Sequence, residues 1–135
     1  MNSTTVSLTR REIAAFLLAA TGSAALSYWA GAQDDASFLQ ITLPPAERST
    51  TPSFETFLAL SRIVLIKADL DEAAARKMYD LFMTEPWGPK HLRNAYGALR
   101  ETFIKRGQHG GQGTIAQTAL PEGERWFISH LVTTW

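Results

Sequence analysis

The sequence predicts an all-α protein, a small bundle of about four helices behind a cleaved N-terminal export signal and an extended tether. Two observations predict this fold class. From Ser53 onward apolar residues recur every three or four positions, which is the spacing of one helix face. Residues that favour helix starts, and breaks rich in proline or glycine, separate these stretches. The chain has 135 residues, a length that suits one domain.

The composition excludes several classes of function. Thirteen basic and 13 acidic side chains cancel, and without a long run of either sign the sequence offers no footprint for nucleic acid or an anionic membrane. The chain contains no cysteine, which excludes disulfides, thiolate metal ligands, iron–sulfur ligation and covalent c-type haem attachment within it. Any redox cofactor is therefore expected in another chain.

The first segment, residues 1–32, has the three parts of a signal peptide in order. Arg10 and Arg11 precede an apolar run, and Ala30 and Ala32 supply the small residues that a signal peptidase recognises. The run is shorter than the roughly 20 apolar residues of a membrane-spanning helix. An amphipathic first helix is the alternative, but residues 13–20 place apolar side chains on every helix face, which favours the signal.

The arginine pair predicts the export route. Arg10 and Arg11 before a mild, alanine-rich apolar run resemble the twin-arginine signals of bacteria, which direct folded proteins to export. The usual apolar pair stands two residues after the arginines, whereas Phe16-Leu17 comes later here. The general export route therefore stays open as an alternative.

Residues 33–52 are predicted to form an extended tether. Pro44, Pro45 and Pro52 interrupt regular structure there. Within it, residues 38–43 alternate weakly between apolar and polar, which is compatible with a short strand or with coil. We expect this tether to order on a partner chain.

Residues 53–135 form the predicted helical domain. Ser53 is a favoured N-cap of the first helix, and Asp69 or Asp71 is one for the second. Residues 86–89 break the chain before a helix over Lys90 to Arg106, and a last helix begins near Pro121. The predicted buried stripes are Phe54, Phe57, Leu58, Ser61 and Leu65 in the first helix; Leu70, Ala74, Met78, Leu81 and Phe82 in the second; Leu92, Tyr96, Leu99 and Phe103 in the third; and Trp126, Ile128, Leu131, Val132 and Trp135 in the fourth.

No pattern of catalytic, cofactor-binding or metal-ligating residues is found in the sequence. His91, His109 and His130 lie on different elements without metal-ligand spacing. The glycine-rich residues 107–113 lack the preceding strand and the Gly-Lys-Ser/Thr ending of a phosphate-binding loop, so they are interpreted as a connector. The acidic cluster of residues 69–72 is explained by helix capping. The chain is therefore predicted not to be an enzyme by itself.

Three stretches carry a family resemblance. The sequence FLALSRI at residues 57–63, then ADLD at residues 68–71 and a helix with Ala75-Arg76 and Tyr79, resembles the small, or gamma, subunit of membrane-bound FAD-dependent sorbitol, fructose and glucose dehydrogenases. Residues 126–135 are similar to the C-terminal region of that family, which commonly continues with an aromatic residue and a glycine. The resemblance covers roughly Ser53 to Trp135.

The resemblance implies a role in a periplasmic complex at the inner membrane. In that family the small subunit is non-catalytic and assists maturation and twin-arginine export of the FAD-dependent catalytic large subunit. It implies that FAD, an iron–sulfur cluster and c-type haem belong to partner subunits, among them a multihaem cytochrome c. The twin-arginine translocase is a further expected partner.

A chain of this size buries only part of its apolar surface alone, so one face is expected to bind the large subunit. Candidate interface residues are Phe57, Leu58, Trp87, Trp126 and Trp135, for each of which a position in the core is the alternative. Two other functions stay open: an independent exported helical binding module, and a small periplasmic hydrolase or metal enzyme that uses the histidines.

Overall fold

The computed structural model describes residues 4–9, 12–15, 17, 38–45, 51–67, 69–108 and 120–135. In chain order the elements are β1 (Thr4–Thr9), β2 (Phe38–Leu43), α1 (Phe54–Leu65), α2 (Glu72–Thr84), α3 (Gly88–Gln108) and α4 (Glu122–Thr134). Residues 12–15 and 17 are also helical. The protein is mostly helical, and the prediction of a purely all-α fold is wrong because the chain also forms a two-stranded sheet.

The two strands are antiparallel and in register over six residue pairs, from Thr4 opposite Leu43 to Thr9 opposite Phe38. Their side chains alternate between the two faces of the sheet, as the pleat requires. Buried residues on the inner face are Val6, Leu8, Ile41 and Leu43. Residues 38–43, for which strand and coil were both open, are therefore a strand, and its partner comes from the segment predicted to be a signal.

A reciprocal capping box connects β1 to the helical residues that follow. The backbone N–H of Glu12 donates to Oγ1 of Thr9 at 3.1 Å, and the backbone N–H of Thr9 donates to Oε1 of Glu12 at 3.3 Å. This Thr-x-x-Glu arrangement is a helix-start motif. Ile13, Ala14 and Leu17 lie beyond it and are at most 1% exposed.

The N-terminal segment contributes substantially to the core. Val6, Leu8, Ile13 and Leu17 are all at most 6% exposed. Burial of an apolar side chain of this size contributes about 1.5–3 kcal/mol. The four side chains therefore belong to the apolar core that stabilises the fold.

Helix α1 begins at the predicted cap Ser53, and of the two predicted carboxylates it is Asp71 that caps α2. Oγ of Ser53 accepts the backbone N–H of Thr56 at 3.3 Å, and Oδ1 of Asp71 accepts that of Ala73 at 2.9 Å. These bonds satisfy N–H groups of the first turn that have no partner within the helix.

The turn between α2 and α3 is tight. A Cβ on Gly88 would lie 1.8 Å from the carbonyl oxygen of Phe82, so only glycine fits there. Helix α3 extends two residues beyond each predicted end, and Pro89 falls in its first turn, where proline is tolerated.

Helix α1 is the most deeply buried element, with Phe57, Leu60, Ile63 and Val64 each at most 1% exposed. Strand β2 packs on α1, and β1 packs on α3. The chain after β2 is fixed to α3 because the hydroxyl of Tyr96 and Nε of Arg100 both donate to the carbonyl oxygen of Pro44. Within the described parts of the chain, no helix combines the length and apolar content needed to cross a membrane.

Candidate functional site

An aromatic surface cluster, formed by Trp87, Trp126 and His130, lies where the α2–α3 turn meets α4. The ring centroids of Trp87 and Trp126 are 5.0 Å apart and nearly perpendicular, at 82°. Trp126 and His130, one helical turn apart on α4, stack at 5.3 Å with an angle of 6°. Edge-to-face and offset-stacked rings are the favoured aromatic geometries. The cluster therefore presents a rigid aromatic surface.

Buried aromatic rings pack against the cluster from the core, and Trp126 is its most exposed tryptophan. Phe82 and Phe127 lie 5.8 Å and 6.1 Å from the ring of Trp87 and are fully buried. Trp126 is 48% exposed, whereas Trp87 is half-buried. Tryptophan is the residue most enriched at energetically important contacts between proteins. An exposed tryptophan on a fixed base is thus suited to protein binding.

A polar contact beside the cluster holds α4 against α3. Nδ1 of His91 lies 3.0 Å from Oε1 of Glu124, and Nδ2 of Asn94 donates to the same oxygen at 3.3 Å. Gly123 makes room for the imidazole, since a Cβ there would lie 2.7 Å from Cε1 of His91. The contact fixes the first turn of α4, from which Trp126 projects.

The environment of Glu124 favours its ionised form. Burial by itself raises the pKa of this carboxyl, but the hydrogen bonds from His91 and Asn94 outweigh it, and the pKa lies below its ordinary value. Glu124 is 6% exposed. The ionised carboxylate of Glu124 accepts hydrogen bonds from two side chains of α3 and so holds α4 against that helix.

The five predicted interface residues fall into three environments. Phe57 and Leu58 are 0% and 6% exposed and lie in the core under the remaining elements. Trp87 and Trp126 are brought together in the aromatic cluster. Trp135 is half-buried and its indole N–H donates to Oγ of Ser61 at 3.3 Å, which attaches the end of the described chain to α1.

The burial of some side chains differs from what the sequence predicts. Leu81 was expected in the buried stripe of α2 but is 56% exposed, because the buried residues of that helix are Ala75 and Phe82. Trp126 was expected in the buried stripe of α4 but is 48% exposed. Nε of Arg62, within the FLALSRI motif, is buried and has no hydrogen-bond partner among the residues that the structure describes. Buried polar groups without a partner are rare in folded proteins.

An open cleft of about 320 Å³ lies beside Trp135. Leu65, Leu70 and Val132 form part of its lining, and Lys67, Asp69 and Asp71 supply its charges. The carboxylate of Asp71 is already engaged in capping α2. The cleft is therefore lined by apolar side chains and by charged side chains of both signs, a combination that indicates no particular reaction.

The histidines do not assemble a metal centre among the residues that the structure describes, where no three histidine or acidic side chains converge. His130 belongs to the aromatic cluster, with its ring 5.3 Å from that of Trp126, and His91 borders the cluster at 6.3 Å from the same ring. His109 lies outside the described residues.

Comparison with protein-family models, with curated proteins and with solved structures finds no match. Function is therefore inferred from the residues and their geometry.

The predicted export residues Arg10, Arg11, Ala30 and Ala32 all lie outside the described residues. Both neighbours of the arginine pair are described, and they are the Thr9 and Glu12 of the capping box.

Proposed function

We propose that this chain is a non-catalytic accessory subunit that assists maturation and twin-arginine export of the FAD-dependent catalytic subunit of a periplasmic sugar or polyol dehydrogenase. FAD, an iron–sulfur cluster and c-type haem would be held by the partner subunits. The observation that carries the proposal is the arginine pair, Arg10-Arg11, ahead of a small domain that contains the FLALSRI motif.

The position of the FLALSRI motif supports a fold shared with the dehydrogenase small subunits, and it gives the motif no role in a reaction. Residues 57–61 and 63 of the motif are buried in α1, so their side chains build the core. Arg62 is the exception, since its Nε is buried and finds no hydrogen-bond partner in the described part of the chain. A carboxylate or carbonyl of the catalytic subunit would satisfy that donor.

The aromatic cluster supports a protein-binding role. Trp126 exposes nearly half of its surface while its ring is held by Trp87 and His130. A side chain that is fixed before binding loses little conformational entropy on association. We propose the aromatic cluster as part of the surface that contacts the catalytic subunit.

One observation favours the alternative of an independent exported binding module. Phe57, Phe82, Phe103 and Phe127 are each at most 2% exposed, so the described helices bury these large aromatic side chains without a partner chain. Such a domain would be monomeric without any dehydrogenase.

Binding in solution separates the two proposals. The full chain is mixed with a purified FAD-dependent catalytic subunit of the sorbitol, fructose or glucose dehydrogenase type, and the mixture is resolved by gel filtration with detection of protein absorbance and of flavin absorbance. The accessory-subunit proposal predicts that the chain elutes with the flavin absorbance. Elution as a free monomer at micromolar concentrations of both proteins would refute it in favour of the independent module.

A further inference from the structure

The aromatic cluster leaves one face of the Trp126 ring open. His130 stacks parallel to the other face, with the two ring centroids 5.3 Å apart. Trp87 is perpendicular to Trp126 at 5.0 Å and is also only 5.8 Å from His130. Trp87 therefore lies beside the stacked pair and does not cover the face opposite His130. Trp126 is accordingly 48% exposed, and its open face is a flat aromatic surface held in place by two neighbouring rings.

The open face of Trp126 lies toward the N-terminal end of α4. Residues four apart share a helix face, so His130 takes the C-terminal side of the ring and Glu122 takes the N-terminal side. Glu122 is exposed, and Gly123, which follows it, has no side chain to fill the space. His91 reaches only the border of this region, with its ring 6.3 Å from that of Trp126. An exposed aromatic face and an exposed carboxylate thus lie side by side on one helix.

The charge next to the open face is negative. Glu122 is the charged residue three or four positions from Trp126, and only residues at that spacing share its helix face. Arg125 is exposed as well, but it projects about 100° from Trp126 around the helix axis. Lys90 is exposed one turn after Trp87 on α3. A carboxylate beside the ring disfavours a phosphate-bearing ligand such as nucleic acid and favours a cation.

Arginine is the cation whose shape fits this pair of groups. Its planar guanidinium stacks on an aromatic face and can donate in its own plane to a carboxylate, whereas the ammonium of lysine is a compact, strongly hydrated charge. The chain itself contains such a stacked contact, since the guanidinium carbon of Arg76 lies 3.9 Å from the centroid of the Phe54 ring. Tryptophan and arginine are also enriched among the energetically important residues of protein interfaces.

We propose that Trp126 and Glu122 bind an arginine side chain of a partner protein. Its guanidinium stacks on the ring face opposite His130 and donates to the carboxylate of Glu122. The inference rests on the proposed role of the aromatic cluster in protein binding, and it adds the chemistry of the partner residue. Binding at this site then requires both the ring and the carboxylate.

A peptide titration tests this site without any dehydrogenase. The probe is an acetylated and amidated Gly-Arg-Gly tripeptide, and its control contains citrulline, an uncharged isostere, in place of arginine. The indole N–H signal of Trp126 in the full chain is assigned by its loss in Trp126→Phe and followed by NMR. For the arginine peptide we expect a saturable shift with a millimolar dissociation constant, because an exposed cation–π contact and an exposed ion pair each contribute about 1 kcal/mol or less. The citrulline peptide should give no saturable shift.

The substitution Glu122→Gln tests the carboxylate. It should weaken binding of the arginine peptide at least threefold. Glu72→Gln is the matched control, because Glu72 is likewise the exposed first residue of a helix, α2, and it should leave binding as in the wild type. The absence of a shift with the arginine peptide, equal shifts with both peptides, or undiminished binding by Glu122→Gln would overturn the inference.

Charge reversal tests the same site against a protein partner. The probe is a purified FAD-dependent catalytic subunit of the sorbitol, fructose or glucose dehydrogenase type, here called the flavoprotein. We expect Glu122→Lys to bind the flavoprotein at least tenfold more weakly than the wild type and Glu72→Lys to bind like the wild type. If the wild type binds and both variants bind as tightly, the inference is wrong while the proposed function stands. If the wild type itself does not bind, the accessory-subunit proposal fails, and the peptide titration decides the inference by itself.

Discussion

The Nδ1 atom of His91 lies 3.0 Å from Oε1 of Glu124 and thereby joins α3 to the first turn of α4. The two residues are 33 positions apart in the chain. Because Trp126 follows Glu124 by two residues in α4, this contact helps to position the aromatic cluster.

The substitution Glu124→Gln is expected to destabilise the protein at neutral pH and to flatten its response to acid. The pKa of Glu124 is lower in the folded chain than in the unfolded chain, so the ionised carboxylate stabilises the fold above its ordinary pKa, about 4.3. This contribution is lost as the pH falls through the lowered folded value. Urea unfolding should show a loss of about 1 kcal/mol at pH 7 and a smaller difference at pH 3.

Glu122→Gln is the matched control for this measurement, because Glu122 is exposed in the same helical turn. It should leave both unfolding free energies near those of the wild type. Equal pH dependence in Glu124→Gln and the wild type would show that the His91 contact does not stabilise the ionised form.

Two glycines of α3 should respond in opposite directions to alanine. The Cβ of Gly88→Ala would lie 1.8 Å from the backbone oxygen of Phe82, and we expect the forced rearrangement to cost about 2 kcal/mol or more. Gly97 has no atom within 4 Å of the same position, so Gly97→Ala should stabilise the helix by about 0.5–1 kcal/mol. Thermal unfolding of both variants measures the difference, and equal melting temperatures would contradict the tight α2–α3 turn.

Trp126→Ala should weaken binding to the catalytic subunit much more than it weakens the fold. Loss of a central tryptophan from an interface typically costs about 2 kcal/mol or more, which is roughly 30-fold in affinity. Leu81→Ala is the control, because Leu81 is exposed to a similar extent, at 56%, on another helix. Isothermal calorimetry with the flavoprotein should show the loss for Trp126→Ala alone. An equal effect of both variants would remove the aromatic cluster from the interface.

Tyr96→Phe should loosen β2 without disrupting the helices. The hydroxyl of Tyr96 donates to the carbonyl oxygen of Pro44, and removal of one such bond costs about 1 kcal/mol. Tyr79→Phe removes a comparable bond to the carbonyl oxygen of Pro52, ahead of α1. Hydrogen exchange at residues 38–43 should accelerate in Tyr96→Phe and remain as in the wild type in Tyr79→Phe. Faster exchange in both would show that β2 has no separate anchor.

The helices could be predicted from sequence because their signals are local. The caps Ser53 and Asp71 act on N–H groups two or three residues away, and the apolar stripes follow the period of the helix itself. The His91–Glu124 contact and the approach of Trp87 to Trp126 depend on how α3 and α4 cross, which no local signal encodes.

The motif Thr9-Arg10-Arg11-Glu12 shows why the N-terminal segment was harder to predict. Its arginine pair is typical of an export signal, while its threonine and glutamate are typical of a helix capping box before an apolar run. Recognition of the capping box would have predicted the helical residues after it. Strand β1 carries alternation as well, in Val6 and Leu8 between polar neighbours, but its partner β2 lies about 30 residues further on and could not be assigned from the sequence.

The central claim is that this chain carries its catalytic partner to the periplasm on its own signal. The most direct measurement is flavin-dependent dehydrogenase activity in the periplasmic fraction of cells that express the flavoprotein together with this chain. The double variant Arg10→Lys, Arg11→Lys is compared with the wild-type chain. The control is Arg125→Lys, on the exposed surface of α4. The account predicts that the double variant leaves activity in the cytoplasm, whereas Arg125→Lys retains it in the periplasm. Full periplasmic activity with the double variant would contradict it.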